Sequence, residues 1–206
     1  MIHPDTQLGF VSPSIGYGVF ATKFIPQGTI TWVLDKLDQE IDESYILAID
    51  DIYRDQLLKY SFRNAQGKYI LCWDIARYIN HSFDANCILT PYDLVIAARD
   101  IHPGEELTED YGLLNLDEPF DCLPETGSDR VQVTPHDILH FYHEWDQKAV
   151  DAIRLFKKVD QPLAKFINSK FLPKVNAVAA EQDQMDSVVS CYYKRSIIPS
   201  SQVNYS

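Results

Sequence analysis

The chain has 206 residues, of which 46% are hydrophobic and 12% aromatic, and its formal net charge is −12. This length and apolar content predict one large packed domain, or one domain with an appendage, rather than a disordered chain. The acidic balance argues against direct nucleic-acid binding, because phosphate contacts need a basic face. It fits a basic partner, although acidity also serves solubility alone.

No run of about 18 apolar residues occurs, and the N-terminus lacks a basic segment followed by an apolar run, so neither a membrane span nor a secretion signal is predicted. The four cysteines, Cys72, Cys87, Cys122 and Cys191, lie far apart and lack the spacing of a zinc site. We therefore expect reduced thiols in an intracellular protein, cytoplasmic with a nuclear location left open, and no metal.

Short strand-like segments, rich in β-branched and aromatic residues and separated by turn residues, dominate the first half of the chain. They are residues 7–12, 18–25, 28–35, 68–73, 86–90 and 93–101. Residues 42–58 read instead as a helix, with Asp42 or Ser44 as its cap.

The pattern changes after about residue 118. Residues 117–130 read as a loop, and an amphipathic helix is predicted from Thr134 as cap, with Pro135 in its first turn, to about residue 159. Residues 161–194 predict one or two further helical pieces, and the last ten residues look frayed. The predicted layout is a compact β domain followed by a helical extension.

Three histidines, His136, His140 and His143, share one face of this predicted helix. A metal site is one interpretation of such spacing. The apolar residues of the helix, among them Ile138 and Trp145, lie on the opposite side, so we expect the histidines to face solvent instead.

Three stretches have the residue types of a functional site. The first contains Gly16-Tyr17-Gly18, where two glycines allow positive φ or close approach of a ligand to the backbone. The second is "RYINHSFDAN", residues 77–86, which presses many hydrogen-bonding groups against apolar ones. The third is "GEELTEDYG", residues 104–112.

In this order and spacing, the three stretches resemble the SET-domain protein lysine methyltransferases, over about residues 8–118. The resemblance implies a mainly β fold with α, in which small curved β-sheets surround a pseudoknot. It assigns residues 1–118 to the methyltransferase domain and leaves 119–206 as a helical extension packing on it. It also implies methyl transfer from S-adenosylmethionine, leaving S-adenosylhomocysteine, to a lysine in a basic protein segment, histone or non-histone.

The resemblance implies roles for individual residues. Tyr111 would stand where the methyl group meets the lysine, as the catalytic residue. The expected cofactor contacts are Gly16, Tyr17, Gly18, Arg77, Asn80, His81 and Phe120. The candidates for the substrate channel are Tyr60, Tyr78, Phe83, Glu109, Tyr142 and Trp145.

For Tyr142 and Trp145 a second interpretation stays open, namely that both belong to the apolar face of a helix packing on the domain.

The sequence departs from the family in two respects. It lacks the zinc-binding cysteine clusters that often flank the domain in members with chromatin substrates. Glu109 stands two residues before Tyr111, where many members have Phe or Tyr. One interpretation is that its carboxylate attracts a lysine ammonium group or accepts its proton; the other is that it points outward on a slightly shifted strand. Two alternatives therefore stay open: a catalytically silent SET-type protein-binding module, and an enzyme with another acceptor, such as a small basic molecule.

Overall fold

The computed structural model describes residues 1–195, which form a mainly β fold followed by helices, as predicted. The twelve strands are β1 (Thr6–Ser12), β2 (Gly16–Ala21), β3 (Ile30–Val33), β4 (Gln39–Ile41), β5 (Ser61–Arg63), β6 (Tyr69–Leu71), β7 (Asn80–His81), β8 (Cys87–Leu89), β9 (Leu94–Ala97), β10 (Glu106–Glu109), β11 (Phe120–Asp121) and β12 (Gln132–Val133). The four α-helices are α1 (Glu43–Ala48), α2 (Asp51–Tyr60), α3 (Asp137–Ile153) and α4 (Leu172–Ala179).

The largest sheet brings the three sequence motifs together. Its strand order is β1-β2-β10-β8-β9-β3, with β7 also paired to β10. Strand β10 runs antiparallel to β2 and parallel to both β7 and β8. Because β2 contains the glycine motif and β7 contains Asn80 and His81, β10 lies between these two motifs and leads directly into Tyr111.

Two smaller sheets complete the β structure. Strands β4, β6 and β5 form a three-stranded sheet next to α1 and α2, and β11 pairs with β12. Strand β11 lies in the segment predicted to be a loop, residues 117–130, and β12 follows that segment; only two residues of each strand pair.

The helical extension packs on the large sheet. Strands β8 and β9 are apolar and buried along their whole length, as expected for strands covered on both faces. One hydrophobic core contains Ile88 and Ile96 of these strands together with Ile138, Trp145 and Ala149 of α3. This core continues across residue 118, so the division of the chain into two domains stays a prediction.

The helix predicted over residues 42–58 is two helices, because the backbone is extended at Ile49 and Asp50. The Arg54 guanidinium donates hydrogen bonds to the carbonyls of Ile46, Leu47 and Ile49, at 2.8–3.2 Å. It thus satisfies carbonyl groups that the break leaves without helical partners.

The start of α3 was also predicted two residues early. Its first residue is Asp137, and His136 occupies the N-cap position. The Asp137 carboxylate accepts hydrogen bonds from the backbone and hydroxyl of Thr134, at 3.1 and 2.5 Å, which holds Thr134 in the preceding turn. The helix ends at Ile153 rather than near residue 159, and a 3-10 turn follows at Phe156–Lys158.

Between α3 and residue 195 the chain contains the single helix α4 and short 3-10 turns. The last ten residues, predicted to be frayed, lie outside the described residues. None of the helices within residues 1–195 has the length and apolar character that a membrane crossing needs. His136, His140 and His143 are exposed, and no cluster of three or more potential metal ligands occurs in this part of the chain.

Candidate active site

A cavity of about 350 Å³ lies where the end of α2, strand β5 and the end of β10 meet. Apolar and aromatic side chains make up most of its wall. Five residues singled out from the sequence line it: Tyr60, Arg77, Glu109, Tyr111 and Phe120. A larger hollow of about 690 Å³ between α3 and residues 181–185 contains none of the predicted site residues. We therefore take the smaller cavity as the candidate active site.

Tyr111 is fixed at this cavity by bonds to the segment that precedes β7 and to β7 itself. It begins a 3-10 turn, which Asp110 caps by accepting a hydrogen bond from the Gly112 amide at 3.0 Å. The Tyr111 hydroxyl donates to the Ile79 carbonyl at 2.8 Å, and its amide donates to His81 Nδ1 at 3.1 Å. Burial, reinforced by the nearby Glu109 carboxylate, raises the pKa of Tyr111, so its hydroxyl keeps its proton.

His81 lies in an aromatic cluster beside this tyrosine. Its ring centroid is 4.4 Å from that of Phe83, 5.4 Å from that of Tyr111 and 6.3 Å from that of Phe120. Burial lowers the pKa of His81, and Nδ1 accepts the Tyr111 amide, so the ring is neutral with its proton on Nε2. That Nε2 is buried without a hydrogen-bond partner among residues 1–195.

Asn80 joins the glycine motif to β10. Its side-chain amide donates to the Tyr17 carbonyl at 3.0 Å and to the Glu106 carboxylate at 2.7 Å. Gly16 has φ +91°, which favours glycine, and a Cβ at Gly18 would collide with the Glu106 carboxylate. Both glycines are thus required by the local structure, and Glu106 is a member of the site that sequence reasoning missed.

The other predicted residues lie around the cavity or away from it. The Tyr78 ring is 5.3 Å from that of Tyr60 and 6.4 Å from that of Tyr17, which places it at the side of the cavity. Phe83 is buried beside His81, outside the cavity lining. Trp145 is buried in the core and Tyr142 packs on it, so neither lines the cavity and their position fits the alternative of an apolar helix face.

Glu109 is a buried acid in the wall of the cavity. It is the last residue of β10 and is 9% exposed. Its backbone carbonyl accepts the Ser82 amide at 3.1 Å, but its carboxyl group has no hydrogen bond or ion pair to any described residue. Burial raises the pKa of Glu109 from 4.5 to about 7. The Glu109 carboxyl therefore titrates near neutral pH.

We expect Glu109→Gln to change how stability depends on pH. The pKa of Glu109 is higher in the folded than in the unfolded state, so protonated Glu109 contributes to the free energy of unfolding. That contribution is complete below pH 4.5 and is lost as the pH rises through 7. A shift of this size corresponds to about 3 kcal/mol of unfolding free energy. Glutamine does not ionise, so the variant should gain about that amount relative to wild type between pH 4.5 and 8, as measured by urea unfolding.

The matched control is Glu144→Gln on α3, where the glutamate is 62% exposed and pairs with Lys148 at 2.8 Å. An exposed pair of this kind contributes little to stability. The control should therefore follow wild type across the pH range. A constant difference between wild type and Glu109→Gln at all pH values would contradict the raised pKa.

Two residues of the predicted loop bind segments that flank the site, and neither was identified from the sequence. Glu125 accepts hydrogen bonds from the Ser82 hydroxyl at 2.9 Å and from the Phe83 amide at 3.0 Å. Arg130 bridges two buried carboxylates, Asp110 at 2.5 Å and Asp137 at 2.6 Å. Both are single charged residues in a polar segment, and nothing in the sequence marks their partners.

Comparison with known protein families finds a match over the part of the chain that contains the candidate site. Residues 16–112 match the family model described as "SET domain", and the predicted resemblance is thereby confirmed. This range begins at Gly16 and ends at Gly112, so it includes all three motifs and the strands that join them.

Two sequence relatives and one solved structure illustrate the similarity. The histone-lysine N-methyltransferase SETMAR of Mus musculus is 30% identical over 144 residues, covering 56% of this chain and 45% of that protein. The histone-lysine N-methyltransferase set1 of Dictyostelium discoideum is 32% identical over 90 residues, covering 40% of this chain and 5% of that protein. A solved structure of a Plasmodium falciparum protein, 20% identical, matches with a TM-score of 0.39 over 53% of this chain and 95% of that one. The chain spans less than half the length of either curated relative.

Proposed function

The chain contains a SET domain over residues 16–112, and on that premise we propose that it is an S-adenosylmethionine-dependent protein lysine N-methyltransferase. The acceptor would be a lysine in a basic protein segment. The observation that carries this proposal is the Tyr111 hydroxyl at the cavity wall, hydrogen-bonded to the Ile79 carbonyl next to Asn80 and His81. Both sequence relatives are named as histone-lysine methyltransferases, which supports the same reaction class.

The residues present fit the cofactor. S-adenosylmethionine supplies, when bound, an electrophilic methyl group on a sulfonium sulfur. The Nε2 of His81 is buried without a partner among residues 1–195 and is available as a donor. The rings of His81, Tyr111 and Phe120 offer aromatic faces to a planar base. Asn80 and the backbone of Gly16 to Gly18 would hold the amino-acid end. Arg77 would bind the carboxylate there.

Tyr111 and Ile79 would form the polar part of the transfer path. Because the Tyr111 hydroxyl donates its proton to the Ile79 carbonyl, its oxygen lone pairs remain free to accept. The Tyr111 hydroxyl oxygen and the Ile79 carbonyl oxygen are then acceptors suited to an electron-poor methyl group and to an amine N–H. Positioning two reactants in line contributes up to about 7–11 kcal/mol of barrier reduction, so fixed acceptors at this point matter.

The cavity would also prepare the lysine. An ammonium group loses charge stabilisation when it leaves water for an apolar channel, which lowers its pKa and yields more free amine. Tyr60 contributes an aromatic face to such a channel. The net charge of −12 supports a basic substrate segment, which long-range attraction would steer to the protein.

A methyl-transfer assay tests the proposal. Purified protein is incubated with methyl-labelled S-adenosylmethionine and either histones or a whole-cell lysate. A labelled protein band, absent when the enzyme is omitted, is the expected result. Cofactor binding without transfer to any protein would overturn the proposal and favour the silent binding module.

Asn80→Ala should weaken cofactor binding. The substitution removes the amide that donates to the Tyr17 carbonyl and to Glu106, and with it the proposed bond to the cofactor. Loss of a charge-assisted hydrogen bond costs about 1–3 kcal/mol, which corresponds to roughly a 5- to 150-fold higher Kd. Calorimetric titration with S-adenosylhomocysteine measures this directly.

Asn176→Ala on α4 is the control for the Asn80 substitution, because it makes the same chemical change in the helical extension. Its affinity for S-adenosylhomocysteine should equal that of wild type. Equal affinity of Asn80→Ala and Asn176→Ala, with both folded by circular dichroism, would show that Asn80 does not bind the cofactor.

A further inference from the structure

We propose that Glu109 is the carboxylate that binds the acceptor ammonium in the cavity and takes its proton before methyl transfer. This inference rests on the proposed function and adds a second catalytic residue to Tyr111. It also specifies the acceptor: a cationic amine that carries N–H groups.

The position of Glu109 is the first argument. It is the last residue of β10 and precedes the Asp110 cap, so the strand places it at the cavity two residues before Tyr111. Glu109 and Tyr111 both line the same cavity. Their charges interact, since the Glu109 carboxylate is one cause of the raised pKa of Tyr111.

The absence of an internal partner is the second argument. A buried carboxylate without a partner is costly, and proteins normally pair such a group. Among the described residues Glu109 has no ion pair, although Lys59 and Arg77 also line the cavity. The other groups whose pKa the Glu109 charge affects are Cys72, Cys87 and Tyr111, and burial raises the pKa of each, so all three are neutral at pH 7. A cation that enters the cavity therefore meets a free carboxylate.

The proton transfer balances without any further reactant. The ammonium gives one proton to the Glu109 carboxylate, leaving a neutral amine and a carboxylic acid. The amine lone pair then forms the new N–C bond, while the S–CH₃ bond breaks and its electron pair stays on sulfur as a thioether. The methylammonium product carries the positive charge, and the Glu109 proton leaves to water. A base with a pKa of about 7 suits this exchange near neutral pH.

Amine binding is tested without turnover. Protein with ¹³C-labelled glutamate carboxyl groups is titrated with pH by NMR, and the Glu109 signal is identified by its loss in Glu109→Gln. Added n-butylammonium chloride, which mimics a lysine side chain, should lower the apparent pKa of Glu109 in a concentration-dependent way. Equal concentrations of n-butanol and of sodium chloride are the neutral and ionic-strength controls. An unchanged Glu109 titration in the presence of the amine would overturn the inference.

Proton removal is tested by the pH profile of kcat/KM for the labelled acceptor. In wild type the value should rise with ionisation of Glu109 and level off above about pH 7. In Glu109→Gln only the neutral-amine fraction of the acceptor reacts, so kcat/KM should be lower by about 1,000-fold at pH 7 and rise tenfold per pH unit up to the lysine pKa of about 10.4. Glu144→Gln should match wild type. Parallel profiles for wild type and Glu109→Gln would overturn the inference.

The two experiments separate this inference from the proposed function. Amine-dependent titration of Glu109 together with no methyl transfer in wild type would refute the enzyme but keep the cation site. Methyl transfer that Glu109→Gln performs at the wild-type rate and pH profile would refute the role of Glu109 and leave the enzyme intact.

Discussion

Replacing Tyr111 with phenylalanine should reduce kcat for methyl transfer by about 100- to 1,000-fold, the range found when one preorganised polar group of an active site is removed. The substitution deletes only the hydroxyl that is hydrogen-bonded to the Ile79 carbonyl at 2.8 Å. The ring keeps its contacts with His81 and Phe120. The effect should therefore be on the reaction rather than on the fold.

The stability of the variant should change by only about 1 kcal/mol, the net contribution of one hydrogen bond. Tyr192→Phe is the matched control, because its hydroxyl also makes one hydrogen bond, to His136 at 2.9 Å on the surface. The labelled methyl-transfer assay compares both variants with wild type, and urea unfolding confirms that each is folded. Near-normal turnover of Tyr111→Phe would refute the catalytic role of Tyr111.

The strands of the core were predictable because their sequences are locally consistent. The six predicted segments contain β3, β6, β8 and β9 and overlap β1 and β2, whose first residues precede the predicted ranges. Runs of β-branched and aromatic residues fit a buried pleated surface, and turn residues bound them. The helical extension was predictable for a similar reason, since α3 has apolar residues at helical spacing.

Strand β10 shows why the site-forming strand was not predictable. Its sequence, "ELTE", is polar and gives no strand signal. Glu106 is accommodated because Asn80 binds it, and Glu109 because it faces the cavity. Tertiary contacts therefore override local propensity at the functional site, as expected where a protein keeps polar groups for chemistry.

The motif residues were identified from sequence because they occur in three extended stretches. The supporting residues Glu125 and Arg130 were not, since each acts on a partner 20 or more residues away. Residues 117–130 read only as a polar loop. The structure shows that this loop places two charges against the segments that contain Ser82 and Asp110.

The second prediction with a large effect concerns Arg130. Replacing it with methionine should lower the free energy of unfolding by about 3–5 kcal/mol at neutral pH, the cost of removing one partner from a buried ion pair. Its carboxylate partners, Asp110 and Asp137, have side chains only 4% and 6% exposed. The guanidinium also lies 4.3 Å from the ring centroids of Phe83 and Phe141, so its planar group is buried between rings.

The loss should depend on pH. Burial already raises the pKa of Asp110, and Arg130 opposes that shift. Without Arg130 the folded-state pKa of Asp110 rises further. The free energy of unfolding of the variant is then retained at low pH, where Asp110 is protonated, and falls as the pH rises through the pKa of Asp110. The destabilisation by Arg130→Met should therefore be larger at pH 8 than at pH 4. Urea unfolding at both pH values measures it.

Arg154→Met is the matched control for Arg130, because Arg154 is 46% exposed and its ion pairs with Asp151 and Glu181 are 3.6 and 3.7 Å long. We expect its effect to stay within about 0.5 kcal/mol at both pH values, as for other surface substitutions. Since Asp110 caps the turn that begins at Tyr111, Arg130→Met should also lower turnover of the folded protein. Equal stability of the two arginine variants would show that the loop does not hold the catalytic turn through this bridge.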